Sequence, residues 1–254
     1  MADIHGNDVA LRAVLKDAER FEVDRWWALG DLVLFGPRPI EVLEILRTLP
    51  GIEMLRGNDR YVLTGEQPAP HATAADAAAS LDLVQRYAAM AAGIGWTRGV
   101  LDQAGVLAVL TKLPTQLRLR LPSGADVLGV HASPGADDGP GIAPDTAAER
   151  LGPLFAGCDA DVVIGGHTHR ATDRRLGGIR VLNPGSTGMP HLHGMTGWLL
   201  LEDDGHGLAA SQRTVPFDVD AVVEDLRRRR HPNTEFIAGI LTGRRPQITH
   251  RAGE

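Results

Sequence analysis

The sequence predicts an α/β fold in which strands alternate with crossover helices. Three observations predict it. Short apolar runs ending at glycine, such as RWWALG (25–30) and DVVIGG (161–166), read as buried strands. Between the early ones lie segments with apolar residues at helical spacing. Side chains able to bind metal stand just past the ends of the runs, where a strand hands over to its loop.

The elements follow in order. Residues 8–20 (DVALRAVLKDAER) carry a helical apolar stripe, with Asn7 or Asp8 as the cap. RWWALG is the first internal strand, with Trp26 and Trp27 read as core. Residues 38–49 place Ile40, Leu43, Leu46 and Leu49 on one helix face, and IEML (52–55) is the next strand. The polar stretch GEQPAPH (65–71) is too short for a domain linker, so the chain is expected to be one domain over 1–254. Alanine-rich residues 72–92 favour a helix, and 97–112 predict a second one ending before Pro114. Together, 66–112 are expected to form a helical cap insertion beside the site.

TQLRLRL (115–121) and DVLGV (126–130), joined through Pro-Ser-Gly, predict a hairpin. Residues 144–156 are expected to be helical. IRVLNPGS, GWLLLE and LAASQRTV alternate with glycine-rich turns and predict a β-meander. Helices over 218–230 and 233–242 are expected to form a C-terminal tail, 216–254, packed on the core.

Composition narrows the function. With 254 residues, 43% of them hydrophobic, the chain can bury a full core. Aromatic residues are only 4%, too few for a base-stacking surface. The net charge of −6 gives no general attraction to nucleic acid or anionic membrane. The run Arg227–Arg230 is short and reads as a solvated helix face. No apolar run is long enough to span a bilayer. A single cysteine, Cys158, fits a reducing compartment and reads as inert packing. No signal peptide precedes the first motif, so the expected location is cytoplasmic.

The informative residues are Asp3 and His5 in DIHGN, Asp31 in ALGDLV, Asn58 in RGND, His131 in GVHASP, and His167 and His169 in GGHTH. Oxygen and imidazole donors in this mixture suit two divalent ions such as Mn, Fe, Ni or Zn. Two ions about 3.5–4 Å apart need a bridging carboxylate and ligands on both sides. Asp31 is the expected bridge. Asp3, His5 and His169 would serve one ion, and Asn58, His131 and His167 the other. Such a pair turns a shared water into hydroxide for in-line attack on phosphorus. Asp31, Asn58 and His131 are accordingly the expected catalytic residues of a phosphoester hydrolase acting on small molecules.

The motifs DIHGN, GD, GN, VH and GHTH, in this order over about residues 1–200, resemble the calcineurin-like metallophosphoesterase superfamily. NPGS (183–186) after GHTH resembles its small bacterial and archaeal phosphodiesterase-like branch. The resemblance implies a four-layer αββα fold, with metals at the carboxyl ends of the central strands, and phosphodiesterase activity. Two departures stand out. Only Met1 and Ala2 precede Asp3, so the first strand is expected to be nearly absent, with its neighbours exposed or Asp3 loosely held. Asp59 stands where many members have the histidine assigned to the leaving group, which would favour activated aryl leaving groups.

Other residues have blander expectations. Asp59 reads as solvated in its loop, or as a group orienting a ligand. His191 and His193 read as a partly exposed loop pair, and Arg170 as a surface residue. Asn183 and Ser186 read as partners of backbone groups. Alternative functions are a protein-binding scaffold of the same fold, a dinucleoside polyphosphatase, or a protein phosphatase using Arg56 and Arg60 beside Asn58. An open sheet edge would permit a homo-oligomer.

Overall fold

The computed structural model describes residues 1–64 and 80–243. Residues 66–79 of the expected cap and 244–254 of the expected tail lie outside the described residues. Helix α1 (Asp8–Ala18), strand β1 (Trp26–Leu29), α2 (Pro39–Arg47) and β2 (Ile52–Leu55) follow the predicted order. Asn7, not Asp8, caps α1, accepting from the Ala10 N–H at 3.0 Å. Next come α3 (Arg60–Thr64), α4 (Leu81–Gln103) and α5 (Leu107–Leu110). The helical break therefore falls after Gln103, not between 92 and 97. Ile94 and Leu101 of α4 bury with α2 and α3, and Arg98 caps α3 by donating to the carbonyls of Val62 and Leu63.

Strands β3 (Leu117–Arg120) and β4 (Asp126–Gly129) form the predicted antiparallel hairpin. The helix expected over 144–156 is two short pieces, α6 (Ala148–Leu151) and a 3₁₀ turn over Gly152–Phe155 that opens on Pro153. β5 (Val162–Ile164) then runs parallel to β4. β6 (Thr172–Leu176), β7 (Ile179–Asn183), β8 (Met195–Asp203) and β9 (Leu208–Pro216) do not form a single meander. β7 pairs in parallel with β5, giving one five-stranded sheet ordered β3-β4-β5-β7-β6. β8 and β9 cross over to the other layer and form an antiparallel two-stranded ribbon. Helices α7 (Val219–Arg228) and α8 (Thr234–Thr242) close the described chain and pack on Val9 and Phe35.

The second layer is completed by the chain start. Residues 1–7 contain no assigned strand, as expected from their brevity. Yet the Met1 nitrogen donates to Trp27 O (2.9 Å), and Leu29 N–H donates to Met1 O (2.9 Å). On the other side, Thr187 N–H donates to Ala2 O (2.9 Å) and Gly188 N–H to Asp3 O (2.8 Å). Thr196 of β8 reaches Thr187 O through its hydroxyl (2.8 Å). A hydrogen-bonded layer thus runs β2, β1, residues 1–3, residues 186–188, β8, β9. The expected looseness of Asp3 does not occur: Ala2, Asp3 and Ile4 are fully buried, because backbone pairing on both sides needs only two or three residues.

Alternation along β8 shows the layering. Trp198 and Leu200 bury under α1 and α2, while Leu199 and Leu201 face Leu55, Val127, Ile164 and Leu182 between the sheets. On the outer face of the five-stranded sheet, Val163 and Val181 pack against Phe155. Helix, sheet, sheet, helix is the four-layer αββα arrangement implied by the resemblance. Cys158 is half-buried beside that last cluster. Among the described residues, no helix is long and apolar enough to cross a membrane.

Leu182 sits at the centre of the inter-sheet core, with no exposed surface. Leu182→Ala is expected to lower the unfolding free energy by about 2–5 kcal/mol. Val109→Ala, at a side chain 54% exposed, is expected to change it by less than about 0.5 kcal/mol. Urea titration of both variants checks this.

Candidate metal centre

The site lies where strands end. Asp31 follows β1, Asn58 follows β2, His131 follows β4, and His167 and His169 follow β5. β1 with β2, and β4 with β5, run parallel, so their carboxyl ends point the same way. Asp3 reaches the same place from the chain start. Five of these residues hold a left-handed backbone: Asp3 (φ 53°), His5 (51°), Asp31 (48°), His167 (67°) and His169 (58°). Non-glycine residues in this region carry strain, and such strain clusters at functional sites. Gly30 and Gly57 permit the close approach. A Cβ on Gly30 would stand 2.5 Å from His131 Nδ1, and one on Gly57 would stand 2.3 Å from Asp31 Oδ1.

All seven predicted residues come together. Asp3, His5 and His169 form one group whose donor atoms lie within 4.8 Å of one another; Asp3, Asp31 and His131 form another. Asp3 belongs to both groups, and Asp31 lies 3.7 Å from His5 Nε2 and 3.4 Å from His131 Nε2. His167 joins on the His131 side, with ring centroids 5.2 Å apart. The Asn58 amide faces Asp31: with its nitrogen turned inward, it donates to both carboxylate oxygens at 2.8 Å. Turned over, it aims an oxygen at the same point, the orientation a cation selects.

The ring orientations carry the strongest chemical statement. Nδ1 of His5 donates to Leu34 O, Nδ1 of His131 to Leu29 O, and Nδ1 of His169 to Met189 O, each at 2.9 Å. Each ring then presents a bare Nε2 lone pair inward. Nε2 of His5 and His169 face each other at 3.1 Å, and the buried Nε2 of His131 has no hydrogen-bond partner. His167 is reversed. Its Nε2 donates to Gly139 O at 2.9 Å, which leaves Nδ1 as its free donor atom.

Electrostatics agree. Burial holds His5 and His131 below the usual imidazole range, and pushes His169 down to about 4. Burial, then the neighbouring Asp31, holds Asp3 well above the carboxylate range; burial raises Asp31 to about 6. Neutral imidazoles and reluctant carboxylates around one point are stabilised together by a divalent cation. The donor set therefore fits metal.

Asp59 is not solvated; it is 4% exposed, with Oδ2 accepting from Leu32 N–H at 3.2 Å and Oδ1 without a partner. Burial and the adjacent Asp31 raise its carboxyl to about 7. The Asp31 Oδ1 atom accepts from the Asp59 N–H at 2.9 Å, so residue 59 also orients Asp31 through its backbone. The NPGS motif supports the other half. Asn183 Nδ2 donates to Gly166 O (2.7 Å), and Ser186 Oγ donates to Asp3 O (2.8 Å). His193 is tied to α8 through Ile240 O, and Arg170 pairs with Asp145 at the surface.

A family model for the calcineurin-like phosphoesterase superfamily domain matches residues 1–204. An uncharacterized protein, MJ0912, from Methanocaldococcus jannaschii is 32% identical over 134 residues, which span 53% of this chain and 48% of that protein. The match thus spans about half the length of that relative. The hypothetical protein PH1004 from Pyrococcus horikoshii superposes with a TM-score of 0.75 at 22% identity, over 95% of this chain and 96% of its own. A metallophosphoesterase from Sphaerobacter thermophilus superposes with a TM-score of 0.72 at 25% identity, over 95% and 96%.

Acid should expel the metal through the carboxylates. His169 stays neutral down to about pH 4, whereas Asp31 takes up a proton near pH 6. Mn²⁺ affinity is expected to be flat above about pH 8 and to fall roughly tenfold per pH unit below about 6. Calorimetric titration across this range checks it; affinity unchanged down to about pH 5 would contradict it.

Proposed function

This chain belongs to the calcineurin-like phosphoesterase superfamily, and from that premise we propose that it is a metal-dependent phosphodiesterase acting on small-molecule diesters. The observation that carries this is the set of bare Nε2 lone pairs of His5, His131 and His169 converging on Asp3 and Asp31. Asp31 is proposed to bridge two ions, with Asp3, His5 and His169 on one and Asn58, His131 and His167 on the other. Mn, Fe, Ni or Zn would fit these donors. Such ions, when bound, supply Lewis acidity toward phosphate oxygens and lower the pKa of a water that attacks phosphorus.

The side chains set the rest of the reaction. His131 and Asn58 hold the phosphoryl side of the site and fix the direction of approach. The backbone carbonyls of Leu29, Leu34 and Met189 keep three imidazoles in one tautomer. The order of the motifs through NPGS, which resembles the small phosphodiesterase-like branch, supports a diester over a monoester. Residue 59 supplies no imidazole to protonate the departing oxygen, so aryl leaving groups are favoured over alkoxides. The scaffold reading is weighed against the seven retained ligand types, which protein docking does not require.

The test is hydrolysis of bis(p-nitrophenyl) phosphate and p-nitrophenyl phosphate by metal-stripped protein, before and after adding Mn²⁺. The diester should be cleaved faster than the monoester, only with metal, and Asp31→Asn should abolish turnover. A faster monoester reaction would overturn the diesterase reading. Inactivity with Mn²⁺, Ni²⁺, Fe²⁺ and Zn²⁺ would leave the scaffold reading.

A further inference from the structure

The loop over 133–142 has no part in the chemistry above, yet it is fitted against the ligands. Its Gly139 carbonyl accepts from His167 Nε2 at 2.9 Å. Gly141, at φ +61°, lies so close to the same ring that a Cβ there would stand 2.9 Å from His167 Cδ2 and 2.7 Å from Thr168 Cγ2. Thr168 Oγ1 donates to Ile142 O at 2.7 Å and anchors the end of the loop. The other side of the loop is gripped by the arginines that flank Asn58. Arg60 Nη1 pairs with Asp137 Oδ1 at 2.5 Å, and Arg56 Nη2 lies 3.7 Å from Asp137 Oδ2. Arg60 Nη2 lies 3.8 Å from Asp138 as well.

One loop therefore joins His167 to the segment carrying Asn58. Both residues are assigned above to the second ion, but they come from different sheets. Nothing else described holds the His167 ring by a hydrogen bond. Its partner is a loop carbonyl, whereas His131 uses the carbonyl of strand residue Leu29.

We propose that Asp137 is a positioning residue for the second metal half-site. Clamped by Arg60, it fixes the loop so that the Gly139 carbonyl holds His167 as the Nε2–H tautomer, with Nδ1 facing the ion. The inference rests on the two-ion reading. Removing either partner of the clamp should loosen His167 while leaving Asp3, His5 and His169 in place. Loss of such an outer hydrogen bond typically costs 10–100-fold in metal affinity.

The experiment is a Mn²⁺ titration of metal-stripped wild type, Asp137→Ala, Arg60→Ala and the double variant, read by calorimetry and by metal analysis. Imidazole ¹⁵N shifts of His167 report its tautomer. Wild type should bind two ions. Each single variant should weaken only the second by about tenfold or more, the double variant should lose clearly less than the two losses added together, and the His167 shifts should move toward a mixture of tautomers. Asp137→Asn, close in size, serves if the alanine variant unfolds. Two unchanged ions in the single variants would overturn the clamp and leave the two-ion reading intact. So would additive losses in the double variant, or equal weakening of both ions. One ion in wild type would overturn the two-ion reading and the clamp with it.

Discussion

Buried lone pairs with no proton to share are the constraint on which this structure turns. Nε2 of His5 and His169 stand 3.1 Å apart, each with its Nδ1 proton committed to a backbone carbonyl. Asp3 and Asp31 add carboxylates that burial makes reluctant to ionise. Left alone, such a cluster costs free energy. A divalent cation turns the same arrangement into a favourable one. The left-handed backbone at five of these residues belongs to the same account: strain accepted at strand ends so that side chains converge.

The surrounding fold supplies the rigidity this requires. The two sheets meet through Leu29, Leu55, Val127, Ile164 and Leu182, and the candidate ligands Asp31, Asn58, His131, His167 and His169 stand just beyond the ends of β1, β2, β4 and β5. Asn183 and Ser186 stitch GHTH and Asp3 to the strand that follows them. The chain start is the economical part. Residues 1–3 are too short to register as a strand, yet they bond to β1 on one side and to residues 187–188 on the other. That is enough to bury Asp3 completely.

Much of this was legible in the residues. Apolar runs located β1, β4 and β5, and the polar residue just past each run is one of the seven candidate ligands. All seven were brought to one place. What was not legible was long-range. The pairing of β7 with β5, and the crossing of β8 and β9 to the other layer, depend on contacts that no local period encodes. Helix α4 runs unbroken through residues 93–96 to Gln103, a continuity that helix propensity alone does not fix. Asp59 was read as solvated because aspartate in a loop usually is. Its burial follows from the Leu32 N–H and from Asp31, 28 positions away. The loop over 133–142, rich in glycine, proline and aspartate, carries no local signal of its fit against His167, which is a tertiary fact.

Two cations sharing Asp31 are the central element of the proposed site. Anomalous diffraction at the manganese edge, from crystals soaked in Mn²⁺, tests it most directly. Two peaks about 3.5–4 Å apart, with Asp31 between them, His5 and His169 on one and His131 and His167 on the other, are the predicted result. A single peak, or peaks that leave Asp31 outside the coordination shell, would contradict it.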